Sequence, residues 1–194
     1  MQTDMTVGKP MKMILDFTIP VFIGNVFQQF YNMADAIIVG KFVGTKGLAA
    51  VGSTGTIMFL IIGFLTGLTA GFTVLTSQKF GAGKMDEMRQ SVGNAALLSI
   101  IISVIMTAVS MVGMHSLLTL MHTPEDIFQD AYKYIMIICA GIFTQVMYNL
   151  LAGILRALGN SKTPLYFLLF SAGLKIVLDL VLIIVFHLGA AGAA

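Results

Sequence analysis

The chain has 194 residues, 57% of them hydrophobic and only 10% charged, with a formal net charge of +2. Soluble domains carry about 25% charged residues, so this composition excludes an ordinary soluble domain and describes a polytopic membrane protein; the mean hydropathy of +0.93 agrees. The small positive excess, with no basic run, also argues against a nucleic-acid partner.

Five apolar stretches reach the ~20 residues that cross a bilayer. They run over about 14–39, 48–78, 91–119, 131–155 and 164–187. The expected fold is all-α: a polytopic bundle of five full transmembrane helices and the start of a sixth. Met1 to Pro10 is polar and the first span is too long for a signal-peptide core, so no cleaved leader is expected.

The first span carries the most telling residues. Asn25, Gln28, Gln29, Asn32 and Asp35 lie in an otherwise apolar run. At about 100° per residue they fall within an arc of roughly 120° and form one polar stripe. An acid inside a spanning helix costs on the order of 3 kcal/mol on insertion scales, so Asp35 should face protein or water. That points to a site for a cation or a proton. The competing view places Asp35 near the outer interface, close to Lys41, with the amides serving as interhelical glue.

In the second span Gly63, Gly67 and Gly71 recur every four residues. Such a stripe predicts a helix-packing face that also permits sliding. Gly81-Ala82-Gly83-Lys84 follows, but it lacks the P-loop spacing and the Ser or Thr after its Lys. Further on, Thr123 and Pro124 before Glu125 and Asp126 predict a helix start, with Thr123 as cap and Pro124 in the first position. The fourth span places Gln145, Tyr148 and Asn149 in a second polar row, with Arg156 near its inner end. Asn149 is readable either as glue or as part of the Asp35 cavity.

The fifth span holds Lys175 and Asp179 at i, i+4, an expected ion pair on one helix face. If Asp179 and Asp35 converge, the cluster has the chemistry to exchange a proton, a metal cation and an organic cation. The remaining candidates are bland. Cys139 stands alone in an apolar run and reads as core; His115, His122 and His187 match no metal spacing; the 14 Met residues read as adaptable packing. No nucleophile constellation is present, so no enzyme and no cofactor are expected.

Loop charges set orientation. With the N-terminus inside, Lys9, Lys12, Lys79, Lys84, Arg89, Arg156 and Lys162 lie inside, against Lys41, Lys46 and Lys133 outside. This predicts a multi-pass protein of the cytoplasmic membrane with a cytoplasmic N-terminus.

Several segments together resemble the multidrug and toxic compound extrusion (MATE) transporters. They are Pro20 to Gly40 with its QQFYNMADAIIVG, Leu48 to Gly52, Gly81 to Gly83, Leu155 to Pro164, and the Leu178-Asp179 step. The resemblance implies half of a twelve-helix fold, with residues 1–194 as the N-terminal lobe, a chain truncated near Gly189, and the C-terminal lobe absent. It implies export of small organic cations across the bilayer, coupled to H⁺ or Na⁺. It also implies a cation or proton site at Asp35 and Asp179 with Asn149 and Lys175 beside it. Gln28, Gln29, Tyr31, Asn32, Gln145 and Tyr148 are then expected to line the substrate cavity. The family usually has Asn where this chain has Lys175. A fixed ammonium there makes H⁺ the expected coupling ion, with Na⁺ at Asp35 and Asp179 the alternative. Two other functions are carried forward: a lipid-linked saccharide flippase, which calls for more basic cavity charge, and a non-transporting membrane interaction module, which predicts no proton release on ligand binding.

Overall fold

A computed structural model describes residues 10–194 of the protein. Lys9 and the rest of the polar N-terminal stretch lie outside the described residues. Six α-helices follow in order: α1 (Pro10–Phe42), α2 (Thr45–Gly81), α3 (Met85–Leu120), α4 (Glu125–Ala140), α5 (Ile142–Ala157) and α6 (Lys162–Leu180). No strand occurs among the described residues.

At 1.5 Å per residue, the 33 residues of α1 extend about 50 Å, well beyond a ~30 Å hydrocarbon core. Helices α1, α2, α3 and α6 are each long and apolar enough to cross a membrane. Helices α4 and α5 have 16 residues each and are bent by 47° at their junction; together they are long and apolar enough to make a fifth, broken span. The chain is a multi-pass membrane protein. Its outward faces carry Phe22, Phe59, Val112 and Phe170, side chains that hydrocarbon tails cover at no cost.

The expected continuous fourth span is therefore broken. Gly141 sits at the break, and its N–H donates to the carbonyls of Ile137 and Ile138. A Cβ on Gly141 would approach Ile138 O to 3.3 Å. The lack of a side chain lets the backbone kink here. The bend turns α5 onto α2 and α3, while α1 packs mainly on α6.

The core has three parts, the smallest being Ala50 with Ile127 and Ala131. Ile57 and Leu65 of α2, Met114 and Leu118 of α3, Ile135 and Cys139 of α4, and Ile142 and Val146 of α5 make one cluster. Cys139 is a buried packing residue, as expected. Ile38 and Val39 of α1, Tyr134 of α4 and Ile183 make another. The buried polar residues of α2 and α3 are hydroxyls, several of which bond within their own helix, while Ser99 Oγ has no hydrogen-bond partner. Thr69 Oγ1 donates to Leu65 O at 3.1 Å and Ser103 Oγ to Ile100 O at 2.9 Å.

Among the described residues no other helix packs on the glycine stripe of α2. A Cβ at Gly63, Gly67 or Gly71 would meet nothing within 4 Å. The buried side of α2 is marked by Leu65, Thr69 and Thr76 instead. A four-residue repeat fixes which residues share a face, but not what that face looks onto. The closest approach is at Gly153 of α5, where a Cβ would collide with Thr73 of α2.

One terminus differs from expectation. Helix α4 begins at Glu125 with Pro124 in the cap position, and Thr123 makes no cap: its Oγ1 is buried without a hydrogen-bond partner. Pro124 is extended, at φ −56° and ψ 140°, which displaces Thr123 from the capping position. Helix α6 widens after Leu180 into a π turn over Val181–Val185, so the span runs over Lys162–Val185, close to the expected 164–187. After His187 (φ 51°) and Gly189 (φ 60°), the expected sixth-span start is a 3₁₀ turn, Gly189–Ala193. Its small residues tuck against α4, α1 and α2, leaving Ala190 and Ala193 buried.

The α2–α3 turn is tied by charge. Lys79 and Lys84 both pair with Glu87, Lys84 at 2.8 Å. These bonds, to Lys79 first and Lys84 second, pull the exposed Glu87 carboxyl down to about 2.

Candidate functional site

Helices α1 and α6 meet closely because α1 presents Gly24 to the neighbour. A Cβ there would touch Leu168 and Leu165 at 3.4 and 3.5 Å. Pro20, one turn earlier, is buried on the same helix. Further along this seam, three charged side chains converge. Lys175 Nζ of α6 lies 2.9 Å from Asp179 Oδ2, one turn on, and 3.3 Å from Asp35 Oδ1 of α1. Asp179 is buried, with its side chain 5% exposed; Asp35 and Lys175 are at 18% and 28%.

Two further groups hold the ammonium. Its Nζ donates to Ala193 O at 3.2 Å and sits 5.3 Å from the centre of the Tyr31 ring. Tyr31 is one turn before Asp35 and so lies on the same side of α1. Tyr134 of α4 is buried in the adjoining apolar cluster with Ile38, Val39 and Ile183.

The charges do not balance. Two carboxylates share one ammonium, which leaves the ionised cluster at −1. Asp35 Oδ1 is buried and receives no hydrogen bond, because the Lys175 ammonium is at ion-pair distance but is not aligned to donate. A buried acceptor without a donor is costly. The arrangement can lower that cost by taking up a proton or a small cation.

The other expected residues are spread out. Asn25, Gln28, Gln29 and Asn32 are exposed, and the Asn32 side-chain N–H₂ donates to Gln29 Oε1 at 3.2 Å within the helix. Among the described residues no hydrogen bond joins them to a neighbouring helix. Gln145 is exposed and Tyr148 half-buried. Asn149 does not join the Asp35 cluster. Its amide donates to Gln145 O at 3.0 Å and faces a different hollow, between α2 and α5. Among the described residues no group of three or more His, Cys, Asp or Glu is placed to hold a metal ion.

One participant was not foreseen: Ala193 contributes a backbone oxygen, which has no signature in side-chain pattern.

Comparison with known proteins adds a further finding. The MatE family model matches residues 20–181. Over 191 residues the chain is 33% identical to "Probable multidrug resistance protein YpnP" of Bacillus subtilis (strain 168), covering 98% of this chain and 43% of that protein. It is 25% identical over 172 residues to "Probable multidrug resistance protein NorM" of Thermotoga maritima, covering 89% of this chain and 37% of that protein. Among solved structures, a MOP superfamily transporter from Pyrococcus furiosus, described as having a binding pocket of reversed polarity, superposes with a TM-score of 0.91 at 31% identity. An outward-facing multidrug resistance MATE family transporter gives the same TM-score and identity. Each superposition covers 96% of this chain and 41% of the other. The chain thus spans about two fifths of the length of these relatives.

Proposed function

The chain belongs to the MatE family, and on that premise we propose that it forms the N-terminal lobe of an antiporter exporting small organic cations in exchange for protons. The protein resides in the cytoplasmic membrane, N-terminus inside, and a second lobe completes the substrate cavity.

The observation that carries this reading is the shared ammonium: Lys175 lies 3.3 Å from Asp35 and 2.9 Å from Asp179. One proton on the cluster removes its residual −1. With a carboxyl neutralised, the attraction of the pocket for an organic cation falls, and the seam between α1 and α6 loosens. Loss of the proton to the cytoplasm restores the charge and the affinity. Rocking of the two lobes exposes the site to each side in turn. Na⁺ is the weaker candidate, because the Lys175 ammonium stands where oxygen ligands would have to close around it.

The test is efflux from proteoliposomes containing the full natural length of the protein, with ethidium as the permanent cation. A pH gradient is expected to drive it. Efflux driven by a Na⁺ gradient at equal pH overturns the proton assignment, and efflux under neither gradient overturns the antiporter.

A further inference from the structure

A second hollow, with a volume of about 380 Å³, opens between α2 and α5 and is flanked by Phe17 of α1. None of Asp35, Lys175 or Asp179 lines it. It forms beside the Gly153–Thr73 contact, where the two helices come closest. Its size is that of a small-molecule site.

The chemistry of its wall is one-sided. Arg156, in the last turn of α5, is the one charged residue on the lining, and no acid is present there. Among the described residues no carboxylate lies within ion-pair distance of Arg156. A guanidinium stays charged at all working pH and offers a planar fork of donors. Arg156 is exposed at the rim of the hollow, where its fork is free to take an anion of matching geometry. The opposite wall is neutral and accepting. Thr69, Thr73 and Ser77 give their hydroxyl protons to carbonyls of their own helix, so their oxygen lone pairs remain available. Asn149 spends one N–H on Gln145 O and keeps its other N–H and its carbonyl.

We propose that this α2–α5 hollow binds a phosphate ester whose anionic oxygens take the Arg156 fork and whose hydroxyl groups donate to the oxygens along α2. A phospholipid with a glycerol headgroup and a free phosphate compound share this chemistry. The site stands apart from the Asp35 cluster and does not depend on the transport reading. Phe17, in the first turns of α1, Ser77, near the end of α2, and Arg156 place it at one membrane face of the lobe.

Native mass spectrometry of the full-length protein, exchanged into detergent with phosphatidylglycerol or phosphatidylcholine, tests it. One phosphatidylglycerol is expected to stay bound, and phosphatidylcholine is not. Loss of a charged bidentate contact should cut retention about tenfold or more in Arg156→Gln, and less in Arg156→Lys. Ala70→Phe keeps the charge but fills the hollow, and it should also lose the lipid. It serves as the second arm should Arg156→Gln fold poorly. If phosphatidylglycerol is not retained but inorganic phosphate raises the unfolding temperature, relative to sodium chloride of equal ionic strength, in the wild type and not in Arg156→Gln, the ligand is a free anion. Equal phosphatidylglycerol retention in wild type and both variants, or no response to lipid or phosphate in any of them, overturns the proposal.

Discussion

Asp35 and Lys175 face each other at 3.3 Å across the seam of α1 and α6, yet the Asp35 oxygen nearest the ammonium receives no hydrogen bond. The ammonium spends its aligned contacts on Asp179 and on Ala193 O. Asp35 is therefore held by the ion pair alone, whereas Asp179 also accepts a hydrogen bond.

Asp35→Asn should abolish proton-driven ethidium efflux, to the level of empty vesicles, while leaving membrane insertion intact. Lys175 keeps Asp179 as a partner, so the fold should survive. Efflux assays and gel filtration of the same preparation check both halves, and retained efflux counts against the role of Asp35.

Lys175→Asn removes the fixed charge and brings back the residue that the family resemblance leads one to expect. The thermal midpoint of the wild type should be indifferent to exchange of K⁺ for Na⁺. That of the variant should rise with Na⁺, because ligand binding to the folded state adds stability in proportion to RT ln(1 + [L]/Kd). Lys175→Met, which supplies no oxygen, should be destabilised by about 3–5 kcal/mol, since two carboxylates are left without the ammonium between them. Titrating each purified variant with both salts in a melting assay tests the pair.

Gly153→Val should destabilise the lobe by about 1–3 kcal/mol, because it forces α5 off Thr73. Thr73→Ala should recover part of the loss in the double variant, as expected for contacting residues. Gly67→Ala, in open space, should be neutral or add up to about 1 kcal/mol through helix propensity. Melting temperatures in one detergent rank the four proteins.

The Glu87 latch predicts a weak acid sensitivity at the α2–α3 turn. Its folded-state carboxyl titrates at about 2, below the ordinary value of 4.5. The contribution is therefore present above pH 4.5 and is lost as pH falls toward 2. Full exposure to water makes it small and sensitive to salt. Hydrogen exchange of the turn amides, in wild type and Glu87→Gln, should differ at neutral pH and low salt and converge at acid pH or high salt.

The legible parts of the sequence were those with few physical solutions. A carboxylate in an apolar span must find a partner, and a Lys–Asp pair at i, i+4 must share a face; Asp35, Lys175 and Asp179 accordingly meet. Residues with many solutions were not legible. Gly63, Gly67 and Gly71 share a side of α2, but no repeat tells whether a helix or open space lies beyond it. Asn149 belongs to a span whose 47° bend at Gly141 redirects α5 toward α2. Pattern alone treats that span as straight, and so leaves Asn149 open between glue and the Asp35 cavity. The turn after Leu180 was hidden for a similar reason, since apolar residues continue through Phe186 while the backbone ladder widens beneath them.

The bond from Lys175 to the carbonyl of Ala193 ties a titrating cluster to the main chain eighteen residues downstream. An ammonium released from one acid pulls harder on its remaining acceptors, one of which is part of the polypeptide itself. On the proposed exchange of protons, a change of charge at the α1–α6 seam would reach the backbone at Ala193 through this single lysine.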